Sequence, residues 1–121
     1  MEGNLVASQQ IKIENITMNE VLKAMHRLGG QVTRKDIRQD IRDNSDVISD
    51  NEVDKVRVSK KTGNKYRPFD WTLNFAIKYL IMTSYIETED NRELELSKKG
   101  RSINFLEFDA ARYVRPIVEK Q

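Results

Sequence analysis

The segment from Tyr85 to Leu96 alternates in character on both sides of Asp90-Asn91, with Ile86 and Thr88 set among acids on one side and Leu94 and Leu96 on the other. That is the pattern of two short strands, Tyr85–Glu89 and Arg92–Leu96, joined by a tight turn and burying one face. A two-stranded hairpin is not stable alone in water, so it must lie on an apolar surface. The stretch just before it offers one, because Trp71 to Thr83 is largely apolar at helical spacing. A hairpin docked on a helix therefore constrains the fold more than any other feature.

The remaining elements read as helices. Thr17-Met18-Asn19-Glu20 has the form of a capping box and predicts a helix start, followed by Val21, Leu22, Met25 and Leu28 at helical spacing and by Gly29-Gly30 as a stop. Ile11 and Ile13 alternate with Lys12 and Glu14, which predicts a short strand or extended lead-in over residues 1–16. Gln31-Val32 reads as a short extended piece that could add a third strand. Thr33 with Asp36 opens a second helix with Ile37 and Ile41 on its apolar stripe, and Ser49-Asp50-Asn51-Glu52 opens a short one that includes Val53 and Val56. Ser59 to Asn64 reads as a basic turn or loop, Pro68 as a residue of a first helical turn or of the step just before one, and Asp70 as the N-cap of the long apolar helix. On a helical wheel Thr72, Leu73, Phe75, Ala76, Tyr79, Leu80 and Thr83 take one broad side, and Asp70, Asn74 and Lys78 form a polar stripe flanked by Ile77 and Ile81. Trp71, Phe75 and Tyr79 are expected in the core. Ser97 caps a short helix, Ile103, Phe105, Leu106 and Phe108 supply apolar anchors, and Asp109 caps a last helix that Pro116 ends or kinks. The expected organisation is a lead-in over 1–16, one domain over 17–108 and a C-terminal helix or linker over 109–121.

The 121 residues suit one domain. With no cysteine and one histidine, disulfide scaffolds, thiolate metal sites and cysteine nucleophiles are excluded; a reducing cytoplasm fits. His26 is expected as a surface or packing residue. No apolar run reaches the roughly 18 residues of a membrane span, and no signal peptide pattern opens the chain. Neither a cofactor nor a membrane partner is expected.

Net charge is only +2, but the charges are blocked. Asp43 to Asp54 holds five acids and no base, and Lys55 to Arg67 holds six bases and no acid. Acids dominate again from Glu87 to Glu95. Such blocks create local fields that a net charge hides.

The order helix, short strand, helix, helix, hairpin, helix gives a mainly α fold with a small β-hairpin, the layout of a winged helix-turn-helix. Three stretches carry a resemblance. The first is Val21-Leu22-Lys23-Ala24-Met25 with Leu28-Gly29-Gly30-Gln31-Val32-Thr33-Arg34-Lys35-Asp36-Ile37. The second is Phe69, Trp71 and Phe75-Ala76-Ile77-Lys78-Tyr79-Leu80 with Tyr85-Ile86-Glu87. The third is Leu96-Ser97-Lys98-Lys99-Gly100-Arg101. In this order they resemble the N-terminal domain of Mrr-type restriction proteins over Thr17 to Ser102, the last stretch resembling that domain's closing Leu-Thr-x-x-Gly-Arg. The resemblance implies a DNA-binding winged helix, normally joined to a nuclease domain that would lie outside this chain, in a restriction or host-defence system. The nuclease's Asp … Glu/Gln-x-Lys motif has no counterpart on a plausible strand core. Glu87, Glu89, Glu93, Glu95 and Lys98 mimic it only in spacing, and no catalytic or metal-binding residue is expected.

In that layout the helix from Asp70 to Met82 enters the major groove of double-stranded DNA. Asn74 can pair with an adenine edge, and Lys78 can reach a guanine or a phosphate. Lys60, Lys61, Lys65, Tyr66 and Arg67 would grip the backbone before that helix, Arg34, Lys35 and Arg38 at the start of the preceding helix, and Arg92 at the wing tip. Two alternatives remain open. One is a small dimeric regulator pairing through Asp109–Lys120. The other is a protein-interaction module that uses Ile77 and Ile81 on the polar side of the helix.

Overall fold

The computed structural model describes the backbone of residues 2–120 and the side chains of residues 8–120; Met1 and Gln121, the outer limits of the expected terminal segments, lie outside them. The chain opens with α1 (Glu2–Leu28), a helix that runs through the stretch expected to be extended. The alternation of Ile11 and Ile13 is overridden by a longer period. Glu14, Thr17, Met18, Val21, Leu22 and Met25 are buried at helical spacing, and this stripe begins with a carboxylate that an apolar pattern does not reveal. The Glu14 carboxylate accepts from the Arg115 guanidinium at 3.0 Å, and the Arg115 Nε donates to Asn15. Thr17 is consequently not an N-cap; inside the helix its hydroxyl donates to the Ile13 carbonyl. Glu20 does not complete a box either, but accepts from the Ser45 hydroxyl at 2.7 Å.

Gly29 and Gly30 close α1 at φ 70° and 64°, a conformation that glycine adopts without strain. Val32 then forms a single bridge to Leu94 through two 2.8 Å hydrogen bonds, so the third strand of the expected layout is one residue long. In α2 (Arg34–Asn44) Thr33 and Asp36 cap each other reciprocally, and Ile37 and Ile41 are buried. The short α3 (Asp50–Asp54) starts at Ser49, whose hydroxyl accepts from the Glu52 N–H; it buries Val53 and leaves Val56 outside.

The next segment was expected only as a turn. It is a hairpin, β1 (Arg57–Val58) paired antiparallel with β2 (Lys65–Tyr66), Arg57 opposite Tyr66 and Val58 opposite Lys65. All four strand residues are exposed. The long α4 (Pro68–Met82) follows at once. Its N-cap is Arg67, with Pro68 at the first position, and not Asp70, which stands two positions further in.

The buried residues of α4 are Phe69, Thr72, Leu73, Ala76, Ile77 and Leu80. At about 100° per residue they occupy one arc, and Trp71, Asn74, Phe75, Lys78 and Met82 fill the opposite arc. The helix is therefore rotated by roughly 60° from the expected wheel. Ile77 is 0% exposed, whereas Trp71 and Phe75, expected in the core, are 64% and 40% exposed. The two large rings are left out because the arc against α1, the most extensive helix–helix contact, is already filled by β-branched and aliphatic side chains.

The second hairpin pairs β3 (Ile86–Glu87) with β4 (Glu95–Leu96), Ile86 opposite Leu96. The strands are shorter than expected, but the inward residues Ile86, Leu94 and Leu96 are buried as the alternation predicts. Ser97 caps α5 (Lys98–Arg101), and Gly100 lies so close to the Tyr85 carbonyl that a Cβ would collide with it. Ile103, Phe105 and Phe108 pack on the core, but Leu106, expected as an anchor, is almost fully exposed at the apex of a turn. Asp109 caps α6 (Ala110–Tyr113), and Pro116 sits in the first turn of α7 (Arg115–Glu119). The result is a mainly α fold with a small β wing, as the sequence predicts. No helix among the described residues is long and apolar enough to cross a membrane.

Candidate nucleic-acid interface

Two groups of the expected contact residues come together around the exposed arc of α4. The first lies between the start of α2, α4 and the tip of the β3–β4 wing. Asn74, Lys78, Ile81 and Met82 line an open groove of about 620 Å³ with Arg34 and Asn91. An adjoining groove is shared by Arg34, Lys35, Arg38, Asp70, Leu73 and Asn74. Arg34, Lys35, Arg38, Asn74 and Lys78 thus border one continuous surface, with Arg92 next to Asn91 in the chain.

Within that surface the cations differ in how free they are. Arg34 is half-buried, and its guanidinium donates to both the Asn91 carbonyl and the Asn91 Oδ1, at 2.6 and 3.0 Å. Burial holds its pKa below the usual arginine value. Arg38 lies 3.5 Å from the Asp70 carboxylate. Lys35 and Lys78 are exposed and have no ion pair among the described residues. So Arg34 fastens the wing tip, Arg38 neutralises the one acid on the outer side of α4, and Lys35 and Lys78 are available to a ligand.

The second group precedes α4. Lys60 and Lys61 stand on the turn between β1 and β2, Lys65 and Tyr66 on β2, and Arg67 at the N-cap, all exposed. Tyr66 meets Trp71 edge-on at 6.5 Å between ring centroids, which ties this hairpin to the first turn of α4. None of these five residues borders either groove of the α2 group. Arg57, on β1 opposite Tyr66, belongs to the same basic hairpin.

The acids of the wing are gathered elsewhere. Glu87, Glu89, Asp90, Glu93 and Glu95 line a hollow with Gln31 and Thr88, and none of these residues borders the groove of Asn74 and Lys78. The acids of the Asp43–Asp54 block are engaged in part by Arg42, which pairs with Asp54 at 2.8 Å and Asp43 at 3.5 Å. Those pairs, Asp54 above all, raise the Arg42 pKa. His26 makes no hydrogen bond to this surface; its Nε2 lies 2.9 Å from the Gly100 carbonyl, which accepts from it, and its ring packs edge-on against Phe105. Among the described residues no group of three or more His, Asp or Glu side chains is placed to hold a metal ion.

Sequence reasoning missed Trp71, Phe75 and Asn91. The signal for the first two was present: residues 71, 75, 78 and 82 form one helical stripe that contains a lysine, which marks the stripe as exposed. Asn91 carries φ 62°, an asparagine at a left-handed turn position, and nothing in the chain predicts its partner 57 residues away. Burial of Ile77 removes half of the feature that favoured a protein-interaction module; Ile81 stays half-buried and lines the groove of Asn74 and Lys78.

The family model for the Mrr N-terminal domain matches residues 15–104. No curated protein matches the chain, and no solved structure does.

Proposed function

The chain belongs to the Mrr N-terminal domain family, the N-terminal domain of Mrr-type restriction proteins, and from that membership and the exposed arc of α4 we propose that it binds double-stranded DNA without breaking a bond. α4 lies in the major groove, where Asn74 reads a base edge and Lys78 reaches a guanine or a phosphate. Lys60, Lys61, Lys65 and Arg67 hold the backbone on the N-terminal side of α4, and Lys35 and Arg92 hold it near the wing. The observation that carries the reading is the exposure of Asn74 and Lys78 on a surface shared with Arg34, Lys35 and Arg38, with the wing acids gathered in a separate hollow. In a restriction system such a module supplies recognition, and strand cleavage belongs to a separate nuclease domain.

A salt titration by fluorescence anisotropy tests this. With about five phosphates neutralised, log K falls against log salt with a slope of about −4.5. Replacing both Lys65 and Arg67 with Ala weakens all duplexes alike and makes the slope shallower by about two. Asn74→Ala instead changes the preference among sequences. A wild-type affinity that does not respond to salt rules the reading out.

A further inference from the structure

The chain has one tryptophan, Trp71, and it is the most exposed aromatic residue among those described, at 64%. A buried indole would contribute more apolar area than any other side chain, yet the neighbouring core positions are filled by Phe69, Thr72 and Leu73. The ring is nevertheless held. Tyr66 braces it from β2 with ring planes at 66°. One turn further on, Phe75 stacks against Tyr79 with the planes at 27°. Lys65 and Arg67 flank Tyr66 in the chain and have no ion pair among the described residues. Asp70, the adjacent acid, is already met by Arg38.

We infer that Trp71, steadied by Tyr66, is a stacking platform for a nucleobase that has left the duplex stack, so that DNA with an unpaired base binds more tightly than fully paired DNA. In a paired duplex each base shows only its edges, because its neighbours cover both faces. An indole face gains a partner only when a base is extruded. The cations of the β1–β2 hairpin attract the backbone, and the ring then discriminates for a free π-face. A protein partner fits less well, since lysine is depleted at the centres of protein interfaces and the hairpin that carries Tyr66 also carries Lys60, Lys61 and Lys65.

The inference rests on the reading of the α4 face as a DNA surface, and one experiment separates the two. Two duplexes that differ only by a single unpaired bulge nucleotide are titrated by anisotropy while the emission of Trp71 is followed. The bulged duplex binds roughly tenfold more tightly, within what one base–aromatic stack contributes, and only it quenches the emission. Trp71→Ala brings the two duplexes to equal affinity and keeps the salt-dependent binding of paired DNA; Trp71→Phe keeps part of the preference. Equal affinities in the wild type, unchanged emission, or a preference that survives Trp71→Ala overturns the stacking platform and leaves the duplex reading intact. Failure of both duplexes to bind in a salt-dependent way removes both.

Discussion

The two hairpins have strands of the same length and opposite roles. β3–β4 is anchored: Ile86, Leu94 and Leu96 are buried beneath it, Val32 adds a bridge, and Gly100 packs against the Tyr85 carbonyl. β1–β2 buries none of its strand residues. Its bonds beyond the strand pair are local, such as Ser59 N–H to the Asn64 carbonyl and Gly63 N–H to the Ser59 carbonyl. One hairpin is held by the core. The other is attached mainly through Tyr66 and Trp71, which leaves its cations unconstrained by packing. A segment that contributes no core can be chosen for charge alone, and Lys55 to Arg67 has six bases and no acid.

Equivalent truncations sharpen this contrast most. Leu94→Ala, at a fully buried position, costs about 3 kcal/mol of unfolding free energy, while Val58→Ala on the exposed hairpin changes it by less than about 0.5 kcal/mol. Urea denaturation of both variants measures the difference, and similar midpoints would break the comparison. Next in size is Gly100→Ala. The added methyl meets backbone that cannot move aside, so the loss is about 2 kcal/mol, the middle of the range for overpacking, seen in the same assay.

The smallest effect concerns acid. The Asp90 carboxylate accepts from the N–H groups of Arg92 and Glu93, and these bonds lower its pKa. A depressed carboxyl stabilises the fold above its unfolded pKa of about 3.9, and the contribution disappears as pH falls through the lower folded value. Amide shifts of Arg92 and Glu93 therefore move below about pH 4, before global unfolding. Those of Lys60 to Lys65 do not, because no carboxylate caps that turn. Equal acid sensitivity at both tips would contradict the assignment.

The same contrast explains what was legible in the sequence. Ile86, Leu94 and Leu96 announce the wing because burial imposes alternation. Thr33 with Asp36 and Ser97 announce their helices because capping is local. The β1–β2 hairpin was invisible as a hairpin, since residues exposed on both faces carry no periodicity; only its charge was visible. The start of α1 was hidden because Glu14 and Arg115 stabilise it from opposite ends of the chain. The rotation of α4 is not legible because the wheel alone does not choose between Phe75 and Ile77, and only the space beside α1 admits Ile77. The exposure of Asn74 and Lys78 is legible as the polar stripe of the wheel, whereas that of Trp71 and Phe75 runs against their expected place in the core.

The bond between Arg34 and Asn91 sets up a competition. A phosphate that took over the two N–H groups given to Asn91 would have to release the loop they latch, so a ligand drawing on those donors would also change where Arg92 sits. Occupancy at the foot of α2 and the posture of the wing are in that sense reciprocal, each altering the equilibrium of the other by the same factor.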